Sequence, residues 1–378
     1  MLLFAVFELD YLSGAELSVS LIYLAPVSLA AWLVGRGAGL LLALLSAACW
    51  AVAYVLTGEL SLSPFTLYWN SLMEVGVYAT LALALSGVRA GLETEGRLRL
   101  ELETAYQDLD REQRIVGDIQ RSLLPRSAPA LPGYRFALHY APSTRAGGDY
   151  YDFLHRGLGR LDLVIADASG HGTPAAVVMA MMRLLLHTTD SHASPEETLA
   201  AVNRRLVSHI LQRQFMTAFC AFLDPARGTL RYSSAGHDPP LVLRAATGGI
   251  ETLDAAQGVP LGLFENVEYR QATFDLTPGD TLLLYTDGLT DALNEAGEPL
   301  GPARLRAALA RNPQAGAEEI RRTLLGEVRA HVSEAAASDD LTFVIVQRIP
   351  LAAIRSTPAA ARLATGVGAG VDPPAAKV

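Results

Sequence analysis

The chain has 378 residues and a formal net charge of −9, with 39 acidic against 30 basic side chains. This acidic balance, without a basic stripe, argues against a nucleic-acid-binding protein, because contact with phosphate backbones requires clustered Lys and Arg. Two cysteines, Cys49 and Cys220, cannot build a disulfide framework or a CxxC zinc site, and a hydrophobic content of 51% excludes disorder over most of the chain.

Uncharged stretches near the N-terminus predict a membrane region over residues 1–88. Three apolar segments, at about 17–34, 37–58 and 64–88, have the length of membrane helices, which need roughly 17–25 residues. A cleaved signal peptide would need a basic start and would not account for three segments. We therefore predict three helices in a multi-pass protein of the inner (cytoplasmic) membrane, with residues 2–9 as the stub of a fourth.

The basic residues of this region predict its orientation. Arg36 lies in the first connection and three arginines lie between residues 89 and 99, whereas the second connection carries only Glu59. Because positive loops stay in the cytoplasm, the first connection and everything after residue 88 are expected there. Glu74 is the one ionisable residue within a segment, and both a functional role and an interfacial position remain open.

A heptad pattern over residues 89–124 predicts a signalling linker. Its apolar positions, with one polar interruption, are Leu98, Leu102, Ala105, Leu109, Glu112, Val116, Ile119 and Leu123. This spacing is typical of a parallel coiled coil, which would make the protein a homodimer through the linker helix, and Pro125 ends the pattern. The alternative is a single amphipathic helix lying on the following domain.

Alternating strand-like and helix-like patterns predict an α/β (α+β) domain over residues 125–349, followed by a disordered Ala/Pro-rich tail at 350–378. Strands are predicted at Tyr134–Ala141, Leu161–Asp167, Phe215–Leu223, Leu230–Ser234, Leu241–Arg244, Thr281–Asp287 and Leu341–Gln347. Helices are predicted at Pro174–Thr189, Ser194–Arg213, Ala303–Ala310 and Ala317–Ser333, the second of which opens with a capping box, Ser194 to Glu197.

Carboxylates at strand ends are the strongest chemical signal of this domain. Asp149 lies in a Gly-rich turn, Asp167 and Asp287 end apolar strands, and Asp339 and Asp340 precede the last strand. A single such aspartate is ordinary turn chemistry, but four such sites fit the oxygen ligands of Mg²⁺ or Mn²⁺. Two such cations could activate a shared water for displacement at phosphorus. The sequence has no HExxH motif and no GxxxxGK[ST] loop.

A series of short motifs resembles the metal-dependent Ser/Thr protein phosphatases of the PPM class, in the bacterial SpoIIE/RsbU branch. The matching segments are Gly117–Pro125, Ala146–Phe153, Ala166–Gly172, Phe215–Phe219, Ser234–Pro240, Gly258–Phe264, Thr277–Ala292 and Ser338–Val346. The resemblance implies a PPM-type α-β-β-α sandwich, in which two antiparallel sheets are flanked by helices, joined to a membrane α-helical N-terminus.

The resemblance also implies two divalent cations, Mn²⁺ or Mg²⁺, and their ligands. The ligands and catalytic carboxylates that it implies are Asp149, Asp167, the Ala168 carbonyl, Asp287 and Asp339. Asp167 is expected to bridge both cations, and Asp340 is the alternative to Asp339. Ser169 stands where the wider class has a histidine, so the proton donor stays open, with His171 two residues later.

The function implied by the resemblance is hydrolysis of phosphoserine or phosphothreonine on a regulatory protein, an anti-sigma-factor antagonist. A diguanylate cyclase is disfavoured because Tyr150 and Tyr151 replace the Glu-Phe pair of its GGDEF signature. A histidine kinase would need a histidine in the linker, and residues 89–124 contain none. The alternative that remains is a catalytically weak phosphoprotein-binding module on a membrane sensor.

Overall fold

The computed structural model describes residues 1–13, 20–56, 64–156, 159–190, 193–210, 214–332 and 339–350. The chain divides into two compact units, Met1–Asp108 and Leu109–Val378. Apart from Pro350, the predicted disordered tail lies outside the described residues.

The N-terminal unit is helical throughout its described parts. It consists of α1 (Leu2–Ser13), a short 3-10 turn (Ser20–Tyr23), α2 (Leu24–Leu33), α3 (Arg36–Leu56) and the first part of α4 (Pro64–Leu123). Tyr23 and Tyr78 are buried in its core, and the Tyr78 hydroxyl donates to the Ser20 carbonyl at 2.7 Å. A Cβ on Gly39 would lie 2.8 Å from the Ala31 Cβ, so α2 and α3 pack with their backbones close together.

Two of the described helices are long and apolar enough to cross a membrane, by length and composition. They are α3, with a mean hydropathy of 2.2 over its most apolar window, and α4, with 1.5. The first predicted segment differs, because its described part forms only the short apolar stretch Ser20–Leu33. The third predicted segment and the predicted linker are continuous in α4.

The C-terminal unit contains two five-stranded antiparallel sheets. The strands are β1 (Tyr134–Ala141), β2 (Tyr150–Arg156), β3 (Arg160–Ala168), β4 (Met216–Asp224), β5 (Thr229–Ala235), β6 (Leu241–Leu243), β7 (Ile250–Thr252), β8 (Ala272–Asp275), β9 (Thr281–Tyr285) and β10 (Leu341–Arg348). Sheet 1 has the strand order β1-β10-β9-β6-β7, and sheet 2 has the order β2-β3-β4-β5-β8.

Helices cover the outer face of each sheet. The helices α5 (Thr173–Thr188) and α6 (Pro195–Leu206) pack on sheet 2, while α8 (Ala317–Val332) packs on sheet 1 and against α7 (Gly301–Ala310). The predicted capping box is present at the start of α6. The layers are therefore α-β-β-α, which confirms the predicted fold class.

Burial on both faces explains the unbroken apolar runs of the central strands. In β9, Leu282 and Leu284 belong to a cluster shared with the strands of sheet 2, whereas Leu283 and Tyr285 belong to a second cluster with α7 and α8. Successive side chains of a strand point to opposite faces, so a strand covered on both sides has no polar face.

Three described strands, β2, β7 and β8, are absent from the sequence prediction. Strand β2 carries a buried aspartate, Asp152, and an aspartate in this position is more typical of a turn than of a strand. Its carboxylate accepts hydrogen bonds from the Tyr150 hydroxyl at 2.5 Å and from Arg183 at 2.9 Å, and it lies 2.7 Å from His187 Nε2. Partners contributed by α5 thus make a polar residue acceptable in this strand. Helix α6 ends at Leu206, earlier than predicted.

Candidate metal centre

The four sequence-predicted aspartate sites lie on one edge of the two sheets. Asp167 is at the end of β3, Asp287 follows β9 by two residues, and Asp149 precedes β2 directly. Antiparallel pairing of Tyr150 with Ala166 and of Tyr285 with Phe343 places the ends of β3 and β9 beside the starts of β2 and β10. The structure therefore brings these residues together.

Asp149 is the most deeply buried of these carboxylates, at 1% exposure. Its Oδ2 atom accepts a hydrogen bond of 2.9 Å from Thr286 Oγ1, which links sheet 2 to the end of β9 in sheet 1. Burial, followed by the charge of Asp167, raises the pKa of Asp149 well above its ordinary value. A cation nearby would favour the ionised form of this carboxylate.

Gly148 allows close contact between the loop before β2 and the end of β3. A Cβ at this position would lie 2.6 Å from the Ala168 carbonyl oxygen and 3.0 Å from Asp167 Oδ1. The Ala168 amide donates to the Gly148 carbonyl at 3.3 Å. Burial and the charges of Asp287 and Asp339 raise the pKa of Asp167 to about 8.

Two further aspartates, Asp238 and Asp291, contribute to the same field and were missed by the sequence prediction. Burial raises the pKa of Asp287 to about 6, and the charges of Asp339, Asp238 and Asp291 add to it. The pKa of Asp339 is also raised, first by burial. The sequence feature that could have identified Asp291 is its position four residues after Asp287.

Asp340 has different contacts from its neighbour Asp339. Its Oδ1 accepts from the Ser143 amide at 2.7 Å and from the Ser143 hydroxyl at 3.0 Å, while its Oδ2 accepts from the Gly148 amide at 2.7 Å. Both oxygens therefore hold the loop that precedes Asp149. This arrangement favours Asp339 as the metal ligand and a structural role for Asp340.

Ser169, His171 and Arg145 lie close to the aspartates in sequence, but they differ in their contacts. The Ser169 hydroxyl accepts from the Phe215 amide at 3.0 Å and so joins β3 to the start of β4. His171 is exposed, and its electrostatic effect on Asp339 partly offsets the burial that raises the pKa of that carboxyl. Arg145, four residues before Asp149, pairs with Asp110 of α4 at 2.9 Å.

His237, in the turn that follows β5, has a structural role. It is 3% exposed, with Nδ1 2.9 Å from Thr217 Oγ1 and Nε2 3.0 Å from the Tyr285 carbonyl oxygen. The carbonyl can only accept, so Nε2 carries the proton and Nδ1 accepts from the Thr217 hydroxyl. Burial lowers the pKa of His237 to about 4, which keeps the ring neutral while it bridges the two sheets.

The donor set fits hard divalent cations. In the described parts of the chain, no three acidic, histidine or cysteine side chains are close enough to form a ligand group by distance alone. The carboxylates of Asp149, Asp167, Asp287 and Asp339 nevertheless interact electrostatically, and no arginine or lysine among the described residues forms an ion pair with them. Hard oxygen ligands with uncompensated negative charge are the chemistry that Mg²⁺ and Mn²⁺ select.

These shifts predict how pH affects the metal-free protein. The folded pKa of Asp167 is about 8 against an ordinary value of 3.8, so protonation stabilises the fold and this stability is lost as pH rises toward 8. Lowering the pH from 8 to 6.5 should raise the free energy of unfolding by on the order of 1–2 kcal/mol. Thermal melts in EDTA test this, with Asp167→Asn as the control that should reduce the effect.

At lower pH, His237 opposes this gain in stability. Its folded pKa of about 4 lies below the ordinary value of 6.5, so its own contribution to stability is lost as pH falls through this range. A melting temperature that decreases when the pH is lowered from 8 to 6.5 in EDTA would contradict the assignment of raised pKa values to the aspartates.

Two packed antiparallel sheets with outer helices and an acidic edge are the architecture of the PP2C-type (PPM) phosphatases. Comparison with known proteins supports assignment of the chain to this class. A family model described as Stage II sporulation protein E (SpoIIE) matches residues 157–349. The chain belongs to the SpoIIE family. The SiaA-PP2C domain of Pseudomonas aeruginosa shares the fold, with a TM-score of 0.57 and 21% identity over 65% of this chain and 99% of that one.

Two further relatives are similar in sequence as well. The phosphoserine phosphatase RsbU of Bacillus subtilis (strain 168) is 27% identical over 197 residues, which is 52% of this chain and 58% of that protein. The RsbU and RsbW domains of Rv1364c from Mycobacterium tuberculosis are 31% identical, with a TM-score of 0.51, over 60% of this chain and 63% of that one. The chain spans about half the length of the curated relatives it matches.

Proposed function

We propose that this protein is a membrane-tethered protein serine/threonine phosphatase that depends on two divalent cations, Mn²⁺ or Mg²⁺. The observation that carries the proposal is the convergence of Asp149, Asp167, Asp287 and Asp339 on one sheet edge in a chain of the SpoIIE family. Bound cations would supply Lewis acidity, lowering the pKa of a water molecule and orienting the phosphoryl group.

The protein's own residues hold this site in place. Asp167, at the end of β3, would contact both cations, with the Ala168 carbonyl beside it; Asp287 and Asp339 would bind one cation and Asp149 the other. Thr286 orients Asp149 through its hydrogen bond of 2.9 Å. Exposed His171 would donate a proton to the departing serine or threonine oxygen. Because Arg145 is paired with Asp110, phosphate binding would depend chiefly on the cations.

Helix α3 and the apolar first part of α4 would form the membrane anchor. Arg36, at the start of α3, and Arg89, on α4, line the same surface depression of the N-terminal unit. Arg89 also donates to the Trp32 carbonyl oxygen at the end of α2. Positive residues at this end would keep it on the cytoplasmic side, which would put the chain after α4's apolar part in the cytoplasm.

The substrate would be a regulatory phosphoprotein, an anti-sigma-factor antagonist carrying phosphoserine or phosphothreonine. Similarity to a protein named phosphoserine phosphatase RsbU supports the substrate class, and the family resemblance supports the antagonist. The acidic edge itself repels phosphate, so cations would have to be bound before the substrate.

One assay decides between this proposal and a phosphoprotein-binding module without activity. The full-length chain in lipid nanodiscs is incubated with p-nitrophenyl phosphate and Mn²⁺, and EDTA is then added. We expect release of p-nitrophenol that requires Mn²⁺ and stops with EDTA. A folded protein that releases none under these conditions would support the binding module instead.

The exposed heptad positions of α4 support a homodimer. Leu98, Leu102 and Leu109 are between 54% and 72% exposed, although leucine at heptad spacing normally packs against a second helix. Val116 and Leu123 are partly buried within the C-terminal unit, whereas Ile119 between them is 57% exposed, so the pattern stays accessible before Val116 and at Ile119. A second copy of this chain is the occupant that a self-complementary heptad pattern fits.

Replacement of the polar heptad residue should tighten this dimer. Glu112→Leu buries an apolar side chain at the interface, and we expect the dissociation constant to fall about tenfold. Disulfide yield of an Ile119→Cys variant reports dimerisation, and p-nitrophenyl phosphate hydrolysis reports whether the phosphatase rate changes in either direction. The control is Gln107→Leu, an exposed position off the heptad pattern. If neither quantity responds to Glu112→Leu, the linker is a passive tether.

A further inference from the structure

A buried glutamine attaches the end of α4 to the loop that precedes Asp149. Gln120 is 2% exposed, its Nε2 donates to the Gly147 carbonyl at 2.7 Å, and its Oε1 accepts from the Gly147 amide at 2.9 Å. One side-chain amide thus satisfies both backbone groups of Gly147, as a neighbouring strand would. Loss of this amide would leave two buried backbone groups without partners, which is costly.

Two further contacts join the same face of α4 to this loop. A Cβ on Gly117 would lie 1.9 Å from the Arg145 carbonyl oxygen, so the helix backbone touches the loop directly. Asp110 pairs with Arg145 at 2.9 Å. Positions 110, 117 and 120 share one helix face, because seven and three residues are close to whole turns. Ile119, on the adjacent heptad face, remains 57% exposed, so both faces can be in contact at once.

The opposite side of the loop is held by Asp340. Gly148 donates to Asp340 Oδ2 at 2.7 Å, and a Cβ on Gly147 would lie 1.9 Å from the same oxygen. The Gly147–Gly148 segment is therefore held between Gln120 and Asp340, and the next residue is Asp149. Because Gln120 and Asp340 hold the Gly147–Gly148 segment from its two sides, a shift of Gln120 along or around the helix axis would displace this segment.

We propose that Gln120 is a positioning residue that sets the place of Asp149, and that the Gln120–Gly147 contact transmits the state of α4 to the candidate metal centre. The inference rests on the proposed metal-dependent function. It assigns the coupling to one contact rather than to the linker as a whole. Breaking this contact weakens cation binding while the two sheets stay folded.

The chain contains a matched control for the test. Gln347 of β10 is 7% exposed, donates through Nε2 to the Ala315 carbonyl at 2.8 Å and accepts at Oε1 from the Ala317 amide at 3.2 Å. It attaches β10 to the start of α8 by the same kind of double hydrogen bond, without touching the aspartates. Methionine has a similar length and lacks strong hydrogen-bonding groups, so Gln120→Met and Gln347→Met remove equivalent contacts.

Both variants are made in the full-length chain in lipid nanodiscs, with calorimetric titration of Mn²⁺ alone and amide hydrogen exchange without metal. For Gln120→Met we expect Mn²⁺ affinity to fall about tenfold. Exchange at the Gly147 and Gly148 amides should rise by about tenfold or more. Gln347→Met should leave both quantities near the wild-type values.

Equal loss of Mn²⁺ affinity in both variants would overturn the proposal, because general loosening would then explain it. Wild-type affinity and exchange in Gln120→Met would overturn it as well. A wild-type protein that binds no Mn²⁺ would refute the proposed function; the metal-free exchange would then still decide whether Gln120 fixes the loop.

Discussion

Asp167→Asn should abolish nearly all phosphatase activity, lowering kcat/KM by about 10³-fold, equivalent to about 4 kcal/mol of transition-state stabilisation. The substitution keeps the shape of the side chain but removes the charge expected to contact both cations. Asp287→Asn removes a ligand of one cation only, so a smaller loss of about 10²-fold is expected. Both are measured with p-nitrophenyl phosphate at limiting Mn²⁺.

The stability of these variants separates metal loss from unfolding. Asp167 is destabilising when ionised in the metal-free protein, since its pKa is raised to about 8 by burial and by Asp287 and Asp339. The metal-free Asp167→Asn variant should therefore melt at or above the wild-type temperature at pH 8. Wild-type activity of both variants at limiting Mn²⁺ would show that the proposed ligand set is wrong.

Gly288→Ala should be among the most destabilising single-methyl additions in the C-terminal unit. A Cβ on Gly288 would lie 1.9 Å from the Asp340 carbonyl oxygen, and a backbone atom cannot rotate away as a side chain could. We expect a loss of about 3 kcal/mol in the free energy of unfolding. The strand start that carries Asp339 must also shift, so Mn²⁺ affinity should fall in the fraction that folds.

Urea denaturation of residues 109–350 measures this effect, and Gly316→Ala is the control. A Cβ on Gly316 would have no atom within 4 Å, and the residue lies outside the left-handed region, so its substitution should change stability by less than about 1 kcal/mol. Similar stability of both variants would mean that the turn after β9 and the start of β10 are not in close contact at this edge.

The fold class was predictable because it is determined by local sequence patterns and by short motifs that follow one another along the chain. The apolar runs of β3, β4, β9 and β10 and the capping box of α6 are visible in the sequence. Strands β7 and β8 were not, since three or four residues give too little periodicity. Strand β2 was missed because Asp152 obtains its partners from a helix distant in sequence.

The candidate site was predictable as a set of residue types but not as a set of roles. Adjacent residues Asp339 and Asp340 are indistinguishable in sequence, and only tertiary contacts with Ser143 and Gly148 separate them. The contribution of Asp238 depends on the β5–β6 turn reaching the same edge, and that of Gln120 on α4 meeting a loop 27 residues further along. Such non-local contacts leave no periodic signal.

The position of β10 in sheet 1 has a consequence for synthesis of the chain. It lies between β1 and β9, yet it is the last strand in the sequence, and it pairs with β1 across more than two hundred residues. During translation the ribosome delivers it after every other described strand, so β1 and β9 expose unpaired edges until then. Asp339 lies two residues before β10 and is synthesised with it. A nascent chain therefore gains its full set of carboxylates only when the sheet closes, and stalled or truncated products lacking β10 should aggregate rather than accumulate as partly active enzyme.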